Sequence, residues 1–315
     1  METVEEKNTE SPIERASIWK LGGLTWRELG RGVWLEMYQG TLLTHAAALS
    51  FYFLLAIFPL LLFLITILGF FAESGIEMRA KLLVNLSQLL PYSASQLIYT
   101  TVDEIAENAD GAKLSFGILT ALWIVSSGMG AITEALNAMY GVREARPFWR
   151  VRLSAVVLTL ALAVLILSAL LLLLYGGEIG EQIAVYFNQS SRYAAFWVIA
   201  QVPVVLAFVL FAFALIYYFS PNVLDQKWYW ITPGSIVGVI LWLLVSVLFR
   251  FYLRHFDTYS VTYGSLGAVI ILMLWFYLTG VAILIGGKIN AEIENAAAEA
   301  GAPDAKLHGE KIAEE

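Results

Sequence analysis

Six long apolar runs divide the chain. They cover roughly residues 46–71, 114–140, 153–176, 194–219, 230–252 and 264–287, beginning with "AAALSFYFLLAIFPLLLFLITILGFF". Each meets the ~20 residues of helix that a hydrocarbon layer of ~30 Å requires. No water reaches that layer, so backbone groups there must be satisfied within the segment, and a helix does this. A closed β-barrel would instead show ten-residue stretches of alternating polarity, which are absent. The pattern predicts an all-α integral membrane protein built as a six-transmembrane-helix bundle.

Two further segments carry a helical period without crossing a membrane. "LTWRELGRGVWLEMYQG" (24–40) mixes Trp26, Leu29, Val33 and Trp34 with Arg27, Glu28 and Arg31. It reads as an amphipathic N-terminal helix lying in the interface. Between about 74 and 112, leucines at helical spacing precede Pro91, and a second apolar-periodic stretch follows it. That reads as a helical hairpin on the outer surface. The expected organisation is a polar tail at 1–23, a membrane domain at 24–290 and an acidic tail at 291–315. No internal repeat is visible, and no cleavable signal peptide is expected, because over forty mostly polar residues precede the first span.

Composition agrees: 59% of the 315 residues are hydrophobic and 14% are charged, where soluble domains carry about 25% charged residues. The formal charge of −7 is a property of the ends. Residues 1–14 contribute −4 and residues 292–315 contribute −5, which leaves the rest near +2. With the N-terminus placed inside, 13 Lys and Arg fall in inner segments and six in outer ones. The positive-inside rule then puts both termini in the cytoplasm. There are no cysteines, which removes disulfides, thiolate metal sites and cysteine nucleophiles.

Few catalytic patterns survive inspection. No phosphate-binding G-x-x-x-x-G-K-[ST] loop exists, so no ATP-driven motor is expected in this chain. The three histidines, His45, His255 and His308, have no metal-ligand spacing. No G-x-S-x-G occurs. No basic stripe interleaved with aromatics indicates nucleic acid. Neither catalytic residues, nor metal ligands, nor cofactors are assigned.

Polar groups in the spans remain as candidates, because they are costly there and tend to face the protein interior. His45 opens the first span and Pro59 interrupts it, as a packing kink or as a cavity wall. Ser126 and Gly130 at i, i+4 suggest close helix approach, as do Gly234 and Gly238 after Pro233. Glu134 and Asn137, at i, i+3, are expected on one face near the inner interface. Arg143, Arg146, Arg150 and Arg152 crowd around Pro147, Phe148 and Trp149. They read as a positive-inside anchor or as a contact for anionic lipid headgroups. "RFYLRHFDTYSVTYGSLGA" joins the last two spans and holds Arg250, Asp257, Tyr259, Tyr263, Gly264 and Gly267. Tyrosines suit a membrane surface. The charges and the two glycines suggest the mouth of a substrate cavity.

Three stretches, "AAALSFYFLLAIFPLLLF" (46–63), "LNAMYGVREARPFWRVRL" (136–153) and residues 248–294 with "YGSLGAVIILMLWFYLTG", resemble the YihY/BrkB family of prokaryotic inner-membrane proteins. The resemblance runs from about residue 30 to 295. It implies six transmembrane helices with both ends cytoplasmic. It supplies no catalytic residues: members have carried a ribonuclease label and a virulence-factor label, and neither is a mechanism. Transport or flipping of an amphiphilic envelope component such as a lipid is the expected function. A non-transporting envelope scaffold is the alternative, and a membrane-embedded nuclease a distant third. Membrane lipids are the expected partners, nucleic acid is not, and the oligomeric state is not legible.

Overall fold

The computed structural model describes residues 18–70, 111–186, 191–223, 231–255 and 265–299. The expected outer hairpin lies outside them. A 3-10 turn, Ile18–Gly23, leads into α1 (Trp26–Tyr38), α2 (Thr41–Phe70), α3 (Gly111–Tyr140), α4 (Phe148–Tyr186), α5 (Ser191–Phe219), α6 (Pro233–His255) and α7 (Ser265–Glu299). Among the described residues there is no strand. Among the described residues five helices are long and apolar enough to cross a membrane, or six when the bent pair α1–α2 counts as one. The chain is an all-α integral membrane protein.

The amphipathic helix α1 forms for local reasons. Thr25 caps it: its hydroxyl accepts the Glu28 N–H at 3.3 Å, and the Glu28 carboxylate accepts the Thr25 N–H at 2.7 Å. This reciprocal capping box satisfies two donors that a helix start would leave bare. Gly40, at φ +82°, then turns the chain by 68° into α2. Leu29 is buried against Ile289 and Ile293 of α7, while Trp26, Trp34 and Tyr38 remain exposed.

α7 is the axis of the bundle, with α6, α2 and α3 packed around it, and α1 and the N-terminal turn against its last turns. α4 packs on α5, and α3 bridges the two groups. Among the described residues the buried core centres on the end of the bundle where α1 and the last turns of α7 pack. Leu42, Leu136 and Leu284 are fully buried there, with Tyr217 beside them. The boundary expected at 290 falls inside α7. This helix runs on to Glu299, with Ile293 and Ala297 buried. Likewise the 3-10 turn at 18–23 packs on α7: Gly22, at φ +62°, has the backbone of Ile293 and Ala297 where a Cβ would be.

Close helix approach follows the expected glycines at one place and not at the other. A Cβ on Gly234 would strike the Gly286 carbonyl, so α6 and α7 touch backbone to backbone. Gly130 has nothing within 4 Å of an added Cβ. Ser126 is buried and Gly128 meets α2 at Ala56 and Tyr52, but Gly130 faces open space. That corrects the close-packing role expected of it.

An ionic latch holds α1 to α7. Lys288 Nζ lies 3.0 Å from Glu36 of α1 and 3.0 Å from Glu292 of α7. The side chains keep 15–29% of their surface exposed, so water screens part of the interaction. Lys288→Met leaves two neighbouring carboxylates without their cation. We expect about 1–2 kcal/mol of lost stability. Limited proteolysis should read it as faster cleavage near Gly23, with an unchanged rate in the α3–α4 connection.

Candidate functional site

Two polar constellations flank the α3–α4 connection. The first is a knot at the end of α3. The helix stops in a Schellman motif: the Val142 N–H donates to Asn137 O at 2.9 Å and the Gly141 N–H to Ala138 O at 3.1 Å, with Gly141 at φ +63°. Asn137 is 5% exposed. Its Nδ2 donates to Glu144 Oε2 at 2.9 Å, and its Oδ1 accepts the Asn222 N–H at 2.7 Å. Asn222 Nδ2 donates to the Arg143 carbonyl at 2.9 Å. Arg146 donates to Glu144 from Nε at 2.8 Å and from Nη2 at 2.7 Å, and its Nη2 also donates to the Ser220 carbonyl at 2.9 Å. The knot ties the α3–α4 connection to the turn after α5.

Burial by itself would raise the Glu144 carboxyl, but the bonds from Arg146 and Asn137 and the Arg146 charge outweigh it and hold it below its usual range. A carboxyl lowered in the folded state stabilises above its unfolded value and loses that contribution as pH falls through the folded one. The stability that Glu144 adds should thus be whole at neutral pH and vanish below the ordinary value of 4.5. Glu144→Gln should flatten that part of an acid-unfolding curve followed by tryptophan fluorescence.

The second constellation is a stripe along α3. Trp123, Ser127, Gly130 and Glu134 recur every three or four residues and share one face. Arg152, one turn into α4, leans across onto it. Its Nη1 donates to Ser127 Oγ at 3.2 Å, its Nη2 donates to the Trp123 carbonyl, and its Cζ lies 3.7 Å from the Trp123 ring centroid. The Arg152 Nε–H is buried and finds no acceptor. Gly130 is the open point already noted. Glu134 is exposed and, among the described residues, has no ion pair or hydrogen bond.

The two constellations fix how α4 runs along α3. Residue 144 meets residue 137, and residue 152 meets residues 123 and 127. The connection therefore doubles back antiparallel to α3. Gly130 and Glu134 lie between the two anchor levels, beside the start of α4, where Phe148, Trp149 and Arg150 are exposed. The stripe passes from apolar Leu119 and Trp123, both exposed, through a cation and an open gap to a free carboxylate.

Several expected placements change. Glu134 and Asn137 share one side of α3 but differ in burial: Asn137 points into the knot and Glu134 outward. Three helical residues subtend about 300°, and the packing boundary falls between the two. The four arginines do not form one cluster. Arg146 and Arg152 are committed to protein partners, while Arg143 and Arg150 are exposed, with Arg150 Cζ 5.2 Å from the Trp149 ring. His45 is half-buried on α2, and Pro59 sits within α2 without ending it. Arg250 is exposed on α6 and Gly267 is buried in α7. Asp257, Tyr259, Tyr263 and Gly264 lie outside the described residues. Trp123, Ser127, Glu144 and Asn222 were not expected at a site. "VREARP" held a signal for Glu144, a lone acid among arginines. Asn222 held none, because its partner is 85 residues away.

A third surface lies on α1, where Arg27, Glu28, Arg31 and Trp34 border an open hollow of about 550 Å³. Among the described residues no three His, Cys, Asp or Glu side chains gather as metal ligands would.

Against known proteins, the family model described as virulence factor BrkB matches residues 33–308. The putative ribonuclease-like protein YfkH of Bacillus subtilis is 39% identical over 248 residues, covering 79% of this chain and 88% of that one. A membrane protein of the UPF0761 group from Aromatoleum aromaticum is 32% identical, covering 79% of this chain and 59% of its own length. Another from Ralstonia nicotianae is 30% identical, covering 66% and 45%. The chain thus spans about half the length of these two relatives. No solved structure matches.

Proposed function

Since the chain belongs to the virulence factor BrkB family of membrane proteins, we propose that it moves an amphiphilic envelope component such as a lipid across a prokaryotic inner membrane, with both termini cytoplasmic and without an ATPase of its own. The observation that carries this reading is the α3 stripe. An unpaired carboxylate and a half-buried guanidinium held on Ser127 and Trp123 flank an open gap that continues into exposed apolar side chains. Polar groups at the edge of a spanning helix are costly unless they face a polar pathway or a headgroup. The core at the α1 end of the bundle is packed, so lipid would pass along the outside of the bundle, headgroup in the groove. The word ribonuclease in the name of the Bacillus relative finds no counterpart among these side chains, and no enzymatic activity is proposed.

The packed core also favours a second reading, a non-transporting scaffold. Reconstitution separates the two. Purified protein in liposomes should speed the exchange of fluorescent phospholipid between leaflets at least tenfold over protein-free vesicles, a barrier reduction of ~1.4 kcal/mol or more. Exchange at the protein-free rate for every lipid class would remove transport and leave the scaffold.

A further inference from the structure

We propose that the α3 stripe is a headgroup site for an aminophospholipid, with the phosphate at Arg152 and the primary amine at Glu134. The proposal rests on the lipid-handling reading and names its substrate class. The order of groups along the stripe carries it. Exposed Leu119 and Trp123 come first, then the Arg152 guanidinium at Ser127, then the open point at Gly130, then Glu134. An aminophospholipid presents the same sequence from chain to tip: acyl chain, phosphate, amine. The direction fits as well, since the apolar end of the stripe lies deeper along α4 and the carboxylate lies beside its start.

The spacing suits one headgroup. Ser127 and Glu134 are seven residues apart, about 10 Å along the axis at ~1.5 Å per residue. Helical side chains lean toward the N-terminus, so the carboxylate tilts back over Gly130 and shortens the gap. Arg152 spends two donors on Ser127 and Trp123, and its Nε–H has no acceptor. The second N–H of each Nη, not used by these contacts, suits phosphate oxygens. Glu134 discriminates: it attracts an ammonium group and repels a headgroup whose net charge is negative.

Native mass spectrometry of the full chain tests this with phosphatidylethanolamine, phosphatidylcholine and phosphatidylglycerol of identical acyl chains. Retention should fall in that order, because choline lacks N–H donors and glycerol lacks the cation. Glu134→Gln should lower ethanolamine-lipid retention about fivefold, the weight of one partly exposed charge-assisted bond, and raise that of the glycerol lipid. Gly130→Leu, placed where nothing is packed, should block all three without lowering the thermal midpoint. Equal retention of the three lipids, or no response to Glu134→Gln, would overturn the proposal. Transport is read separately: leaflet exchange that is indifferent to headgroup sinks the headgroup site and leaves transport standing. Selective retention without exchange does the reverse.

Discussion

Gly286→Ala should be one of the most damaging single methyls in this protein. The added Cβ would fall on the Tyr217 hydroxyl and lie 2.5 Å from the Gly234 carbonyl oxygen. Neither neighbour gives way easily. The carbonyl belongs to the first turn of α6, which is pinned to α7 by Asn290, whose Oδ1 accepts the Gly234 N–H at 2.9 Å and whose Nδ2 donates to Thr232 Oγ1 at 3.0 Å. The hydroxyl donates to the Ile283 carbonyl at 2.7 Å, and its ring is buried. Overpacking against backbone costs about 3 kcal/mol, which lowers the thermal midpoint of a chain of this size by roughly 4–5 °C. Gly130→Ala is the control. With open space around it, removing glycine's backbone freedom should raise stability by about 0.5–1 kcal/mol. Tyr217→Phe combined with Gly286→Ala should recover part of the loss. If Gly286→Ala melted like the parent, the α6–α7 contact described above would be wrong.

Asn137→Ala should be the next most damaging change, through loss of partners. It removes the acceptor of the buried Asn222 N–H and a donor to Glu144. A buried donor left without a partner costs its full desolvation, so about 2–4 kcal/mol is expected. Asn137→Asp keeps the acceptor but sets a second carboxylate against Glu144. It should be as unstable as Ala at neutral pH and recover in the presence of Glu144→Gln. A double-mutant cycle on Asn137→Ala and Glu144→Ala should show coupling of about 1–2 kcal/mol. Additive losses would mean that the two side chains do not act as one knot.

These positions divide what could be read locally from what could not. The Gly234/Gly238 pair announced a helix contact because close approach needs small residues on one face of one helix, a local property. The structure then named Gly286 as its counterpart. Ser126 and Gly130 showed the same spacing, and Gly130 is open. Spacing states which residues share a face, not which face is covered. The arginines illustrate the same limit. Four in ten residues signalled the inner end of a span, but Arg146 is bound to Glu144 and the turn after α5, and Arg152 to α3.

By itself the sequence determined the long apolar helices and the amphipathic α1; the Thr25–Glu28 box and the turns at Gly40 and Gly141 are local too, and were read only from the structure. Each depends on backbone hydrogen bonds closed within a few residues and on runs long enough to cross a hydrocarbon layer. Only the tertiary structure decided that Asn137 is interior and Glu134 exterior, that α7 continues to Glu299, and that Arg152 crosses to α3. The physical reason lies in the solvent. In a membrane both the lipid-facing and the core-facing sides of a helix are apolar, so hydrophobic period no longer tells inside from outside. Which side is buried follows from partners that are 7 to 85 residues distant in the chain.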